Sequence, residues 1–191
     1  KESITSITRD MMLEHMSHHY TPSNIVISVA GNVSHDQVVR QVKALCEGWP
    51  DGLAEDWTPV THTQQESQLR LEYRRTEQVH LSIALPGMSM FDPNRYALDL
   101  LSVALGEGMS SRLFVELREN RGLAYDVHSG VSHFLDSGAF VITAGVDPKR
   151  IYDAVQTILA QVGGIRDDMP EEELERSKSL VTGRLMLRME D

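Results

Sequence analysis

Residues 106–127 read GEGMSSRLFVELRENRGLAYDV, and two side chains in that stretch could act together on a carbonyl group. Arg118 falls near the end of a charged amphipathic pattern, and Tyr125 stands just beyond Gly122, where a strand-like stretch begins. A helix-to-strand passage at that point lets a guanidinium and a phenol converge. Such a pair can grip a peptide carbonyl and stabilise the oxyanion that forms when it is attacked. The stretch holds no metal-ligand set and no nucleophile–base pair, so it could assist hydrolysis but not begin it. The plain alternative is a solvated Arg118 paired with Glu116 or Glu119, an interaction of little energy, and a Tyr125 that merely opens a strand. Spacing alone favours that alternative.

Glu14-His15-Met16-Ser17-His18-His19 is the dense histidine cluster of the chain. His15 and His19 would share a helix face, a spacing that lets two imidazoles reach one zinc ion. The helical zinc-peptidase pattern needs a glutamate between them, where Met16 and Ser17 stand, and no third ligand is clearly placed. Histidines in the last turn of a helix also interact favourably with its dipole, which is the plainer account. Gly106-Glu107-Gly108 could cradle an anion at the next helix N-terminus, but it lacks a nucleotide-loop lysine and Glu107 would repel phosphate. A turn between helices is the simpler role. Cys46 is the single cysteine, so an internal disulfide is excluded and a reducing compartment fits. The methionines suit core filling better than ligation.

These groups need a scaffold, and hydrophobic periodicity predicts one. Helical spacing runs over 6–20, with Thr8 as cap and Met11, Met12, Leu13 and Met16 as the apolar face. It recurs over 35–47, with Ser34 as cap and Val38, Val39, Val42 and Leu45 inward. Between them the apolar run 25–30 predicts a buried strand that turns at Gly31-Asn32. Pro50, Gly52 and Pro59 make 48–67 irregular and predict an interdomain linker. Alternation over 69–74 and the apolar segment 79–85 predict neighbouring strands. Helices are expected over 95–105, 110–120 and 149–162, and from Glu171 to Asp191. An antiparallel hairpin is expected over 125–134 and 139–146, joined at Asp136-Ser137-Gly138. Paired strands with helices beside them predict an α+β fold, a largely antiparallel mixed sheet with helices packed on it. The expected divisions are residues 1–50, a linker at 51–67 and a second domain at 68–191.

The 191 residues are 41% hydrophobic and 24% charged, ordinary for a globular chain. A formal net charge of −10 without a basic patch argues against nucleic acid as a partner. No apolar run has membrane-spanning length, so no membrane partner is expected. The chain starts Lys1-Glu2-Ser3, and its last helical pattern meets Asp191 without a cap, so a piece of a longer protein is expected. Surfaces bared in such a piece would favour a homo-oligomer of the chain.

Three segments in register carry a resemblance: HYTPSNIVISVAGNV at 19–33, LGEGMSSRLF at 105–114 followed by LRE at 117–119 and RGLAY at 121–125, and EELERSK at 172–178. Together they resemble the pitrilysin/insulinase family of zinc peptidases, in the branch like the mitochondrial processing peptidase. Members have two homologous halves that close around a peptide. The resemblance implies that residues 1–50 end a first, catalytic-type half and that 68–191 form most of a metal-free second half. It implies no cofactor or metal in this chain, and zinc held by HxxEH and a further glutamate in a missing upstream half. The family's second-half pair falls on Arg118 and Tyr125. Tyr125 would hydrogen-bond the scissile carbonyl oxygen as it becomes an oxyanion, and Arg118 would hold a neighbouring carbonyl. The first half would supply activated water and a general base. The implied substrate is a peptide in extended conformation, added as a strand to a sheet edge. The short turn at 106–108 stands where the non-catalytic processing-peptidase subunit has a long glycine-rich loop, which argues against that subunit's presequence-reading role.

The implied function is that of part of a zinc-dependent metalloendopeptidase, inactive alone. Its partner would be the missing first half or a homologous catalytic subunit. The alternative is a non-catalytic or structural subunit of a two-chain complex. Outside the family stands a freestanding metal binder built on His15, His18 and His19. Cytoplasmic localisation is expected, with the mitochondrial matrix or the periplasm as alternatives.

Overall fold

The computed structural model describes residues 2–53 and 57–190. The middle of the expected linker, 54–56, and Asp191 of the expected last helix lie outside the described residues. The chain divides into two compact units, Lys1–Pro59 and Val60–Asp191.

The first unit contains α1 (Glu2–Ser6), α2 (Arg9–His19), a short 3₁₀ turn at Pro22–Asn24 and α3 (His35–Leu45). Thr8 caps α2 as its spacing predicts, its hydroxyl accepting the Met11 N–H at 3.2 Å. Ser34 occupies the N-cap position of α3 without a side-chain bond. Burial here departs from expectation. Met11, Met12, Leu13 and Met16 are all exposed, and Leu45 is 86% exposed while Val38, Val39 and Val42 are half-buried. The run 25–30 is neither buried nor a strand: Ile25 is extended, yet no ladder partner joins it among the described residues, and Val26 is 94% exposed. A strand exists only through pairing, so apolar sequence of the right length stays an unpaired extended segment.

The second unit holds the sheet. Its elements are β1 (Val79–Pro86), α4 (Arg95–Gly106), a π-helix (Phe114–Asn120), β2 (Ala124–His133), β3 (Gly138–Val146), α5 (Ile151–Gly164) and α6 (Glu171–Glu190). The sheet is antiparallel in the order β1-β3-β2, so β2 lies at an edge. This is the α+β architecture the sequence predicts, and the hairpin forms as expected. Two expectations fail. Segment 69–74 does not pair, and Leu69, Leu71 and Tyr73 are almost fully exposed. The helix expected over 110–120 is mostly a wide π turn rather than an α-helix.

Alternation along β3 puts Phe140, Ile142, Ala144 and Val146 into the core. Leu105 of α4, Leu113, Leu117, Leu123, Val127 of β2 and Ile158 of α5 pack into the same cluster. Truncating a fully buried leucine such as Leu117 to alanine costs about 2–5 kcal/mol in cores of this kind. Gly106 ends α4 against β2 so closely that a Cβ there would lie 2.5 Å from the Ser129 backbone nitrogen. Two buried hydroxyls lock the contact: Ser129 Oγ donates to the Ser102 carbonyl at 2.7 Å and Ser102 Oγ reaches Ser129 Oγ at 3.2 Å.

Candidate functional site

The junction between the π-helix and β2 builds the site. Leu117 and Leu123 are buried on either side of the turn, and the Leu123 N–H donates to the Leu117 carbonyl at 2.6 Å, closing the helix. Gly122 lies between them at φ +56, a left-handed conformation that favours glycine. With its ends pinned, the turn leads straight from Arg118 to Tyr125.

Tyr125 owes its direction to an irregularity in the ladder. Ala124 pairs with Val146 and Asp126 with Gly145, so Tyr125 is an extra residue in β2, a β-bulge. Regular alternation back from buried Val127 would turn Tyr125 inward. The bulge instead turns Ala124 inward and leaves the phenol 72% exposed. On its outer side β2 has no ladder partner among the described residues, so its backbone groups there are open to an added strand.

Arg118 converges on the same point. Its guanidinium carbon lies 4.9 Å from the centroid of the Phe114 ring and 5.3 Å from that of Tyr125, both within cation–π range. The pairing of Arg118 with Glu116 does not occur. Glu116 accepts from Asn120 at 2.9 Å and from Arg121 at 2.6 Å. The Asn120 hydrogen bond, with that from Arg121, holds its carboxyl below the usual range. Among the described residues no ion pair engages Arg118. A cleft of about 310 Å³ opens beside Phe114, lined also by Met109, Asp126 and His128. At its rim Glu107 is tied to Arg184 and accepts from Ser102 at 3.0 Å, so the glycine turn serves packing.

The histidine cluster belongs to the first unit. His15 and His19 lie on one face of α2 with ring centroids 4.2 Å apart, while Nδ1 of His18 is 2.8 Å from the Glu14 carbonyl oxygen. Among the described residues no group of three or more histidine, cysteine, aspartate or glutamate side chains is arranged to hold a metal ion. The described residues therefore do not fit zinc.

Sequence reasoning missed Phe114, whose place one helical turn before Arg118 was the available signal. It also missed the bulge, which no composition or period betrays, and the partners of Arg112, buried Glu173 from α6 and exposed Asp168 from the loop before it.

Residues 6–181 match the peptidase M16 inactive domain. The chain is 34% identical over its whole length to an uncharacterized zinc protease of Streptomyces coelicolor, covering 43% of that protein. It is 35% identical over its whole length to the Bacillus subtilis uncharacterized zinc protease YmxG, covering 46% of it. The chain thus spans less than half the length of these relatives. Its fold is that of a protease from Helicobacter pylori, with a TM-score of 0.81 at 22% identity, covering 100% of this chain and 48% of that one. A peptidase M16 inactive domain from Pseudomonas fluorescens superposes with a TM-score of 0.77 at 23% identity, over 97% of this chain and 45% of that one. The family match over most of the chain, with these relatives, places the chain in the peptidase M16 family, as its inactive domain.

Proposed function

We propose that residues 68–191 form the substrate-gripping half of a two-half peptidase and that the chain is inactive by itself. The observation that supports the reading most directly is an arginine that has no acid partner among the described residues, lying over an exposed, bulged tyrosine on a sheet edge. An extended peptide adds to the outer edge of β2, matching its backbone donors and acceptors. The Tyr125 hydroxyl donates to a carbonyl oxygen, more strongly as charge develops on it. Arg118 directs its N–H donors to a neighbouring carbonyl and fixes the peptide's register. Residues 1–50 then belong to the end of the catalytic-type half and 68–191 to the second. The relatives' description as zinc proteases supports a metal-bearing partner half, either upstream in the same protein or in a homologous subunit.

Replacing Tyr125 by phenylalanine in the intact two-half protein tests this. Turnover of a peptide substrate should fall by roughly 10²–10³, the cost of losing an oxyanion donor, with zinc content unchanged. Wild-type turnover would remove Tyr125 from the chemistry and leave the domain a structural subunit.

A further inference from the structure

We propose that Phe114 is a positioning residue for Arg118: its ring takes the place of a carboxylate, fixing the guanidinium while leaving its N–H donors free for a peptide carbonyl. The inference rests on the role given to Arg118 above. Neighbouring arginines show the usual solution. Arg112, Arg121 and Arg184 are each held by glutamate or aspartate. A carboxylate clamp of that kind occupies the donor edge of the guanidinium and cancels its charge. An arginine held that way has little left to offer a ligand.

Arg118 lies over aromatic rings instead. The Phe114 ring lies 4.9 Å away and the Tyr125 ring 5.3 Å away. An aromatic face attracts the cation through its quadrupole and makes no demand on the in-plane N–H groups. The two rings are not equivalent. Tyr125 is exposed and, on the reading above, engages substrate through its hydroxyl. Phe114 has no hydrogen-bonding group to offer a substrate. It is half-buried and packs against the core cluster that contains Leu113 and Leu117. Phe114 is therefore the fixed member, tying Arg118 to the interior of the unit.

The test changes the electronics of the ring and not its shape. In the intact two-half protein, Phe114 is replaced by singly, doubly and triply fluorinated phenylalanine, which progressively weaken the negative ring face. With fluorescein-labelled casein as substrate, kcat/KM should decline stepwise, to a total of about three- to thirty-fold, the range expected of a cation–π contact. Binding of the labelled casein to chelator-treated protein should weaken in step, while the urea midpoint stays constant. In an Arg118→Ala background the fluorine series should have no effect. A flat series, with Arg118→Ala crippling, overturns the role of Phe114 alone. A fluorine effect that persists without Arg118 also overturns it. Full activity in Arg118→Ala overturns this proposal together with the reading beneath it.

Discussion

Arg112 enters the helical segment nearly buried, its side chain 14% exposed, and donates to Glu173 at 2.7 and 2.6 Å and to Asp168 at 2.6 Å. Arg118, at the segment's other end, is exposed and rests on two rings with no carboxylate against it among the described residues. The same side chain therefore does two jobs on one short stretch. Where acids saturate it, the cation ties α6 to the segment, and the Glu173 hydrogen bond pushes its pKa further above the ordinary arginine value. Where rings support it, the cation keeps unspent donors beside an open strand edge. Which groups remain unsatisfied separates the one that holds the fold from the one that can hold a ligand.

The sharpest way to break this contrast is Arg112→Ala. It strands Glu173, whose side chain is only 9% exposed, without its cation. Loss of one partner from such a pair costs about 3–5 kcal/mol, read as a lowered urea midpoint of the intact protein. Replacing the two together, Arg112→Met with Glu173→Leu, should restore most of the loss. Next in size is Arg118→Ala. It should leave unfolding within about 0.5 kcal/mol of wild type but reduce kcat/KM on peptide about 10- to 100-fold, the worth of a charged hydrogen bond. An Arg118→Ala protein that unfolds like Arg112→Ala would erase the distinction.

His133 offers the saturated arrangement in titratable form and the smallest effect. Its Nδ1 lies 2.6 Å from the Met88 carbonyl oxygen and its Nε2 3.1 Å from Asp99 Oδ1. Both nitrogens can donate only in the imidazolium. The Met88 carbonyl, then Asp99, accordingly raise its pKa above 6.5. A raised native pKa contributes stability that is complete below the unfolded value and is lost as pH rises through the native one. Stability should therefore fall as pH climbs from about 6.5 through the native value, and His133→Gln should flatten that slope. An unchanged slope in the variant would assign the dependence to other groups.

The second unit was legible where local rules and tertiary packing agree. The apolar residues Ala97, Leu98, Leu101, Val103 and Ala104 predict α4, and the turn at Asp136-Ser137-Gly138 with its flanking segments predicts the β2–β3 hairpin; of the five helix residues all but the exposed Ala97 pack in or against the core. Segments 25–30 and 69–74 carry equally good strand patterns. They fail because pattern specifies a face and not a partner. At the site, the approach of Arg118 to Tyr125 followed from the helix-to-strand order. What the sequence concealed was register. Alternation through Val127 and Ser129 would place Tyr125 on the core side, and only the pairing of Ala124 with Val146 reveals that it points out.

On the role proposed for Tyr125, chain length between Gly122 and Val127 becomes a functional variable in its own right. Deleting Asp126 would regularise β2 and keep the phenol outside. Deleting Ala124 would regularise it equally well, but Tyr125 would then take the place opposite Val146 and turn into the core. Every chemical group would still be encoded, and the ladder would be more complete than before. A lineage of such domains could thus fall chemically silent through the loss of one small residue, with no active-site substitution to mark the event.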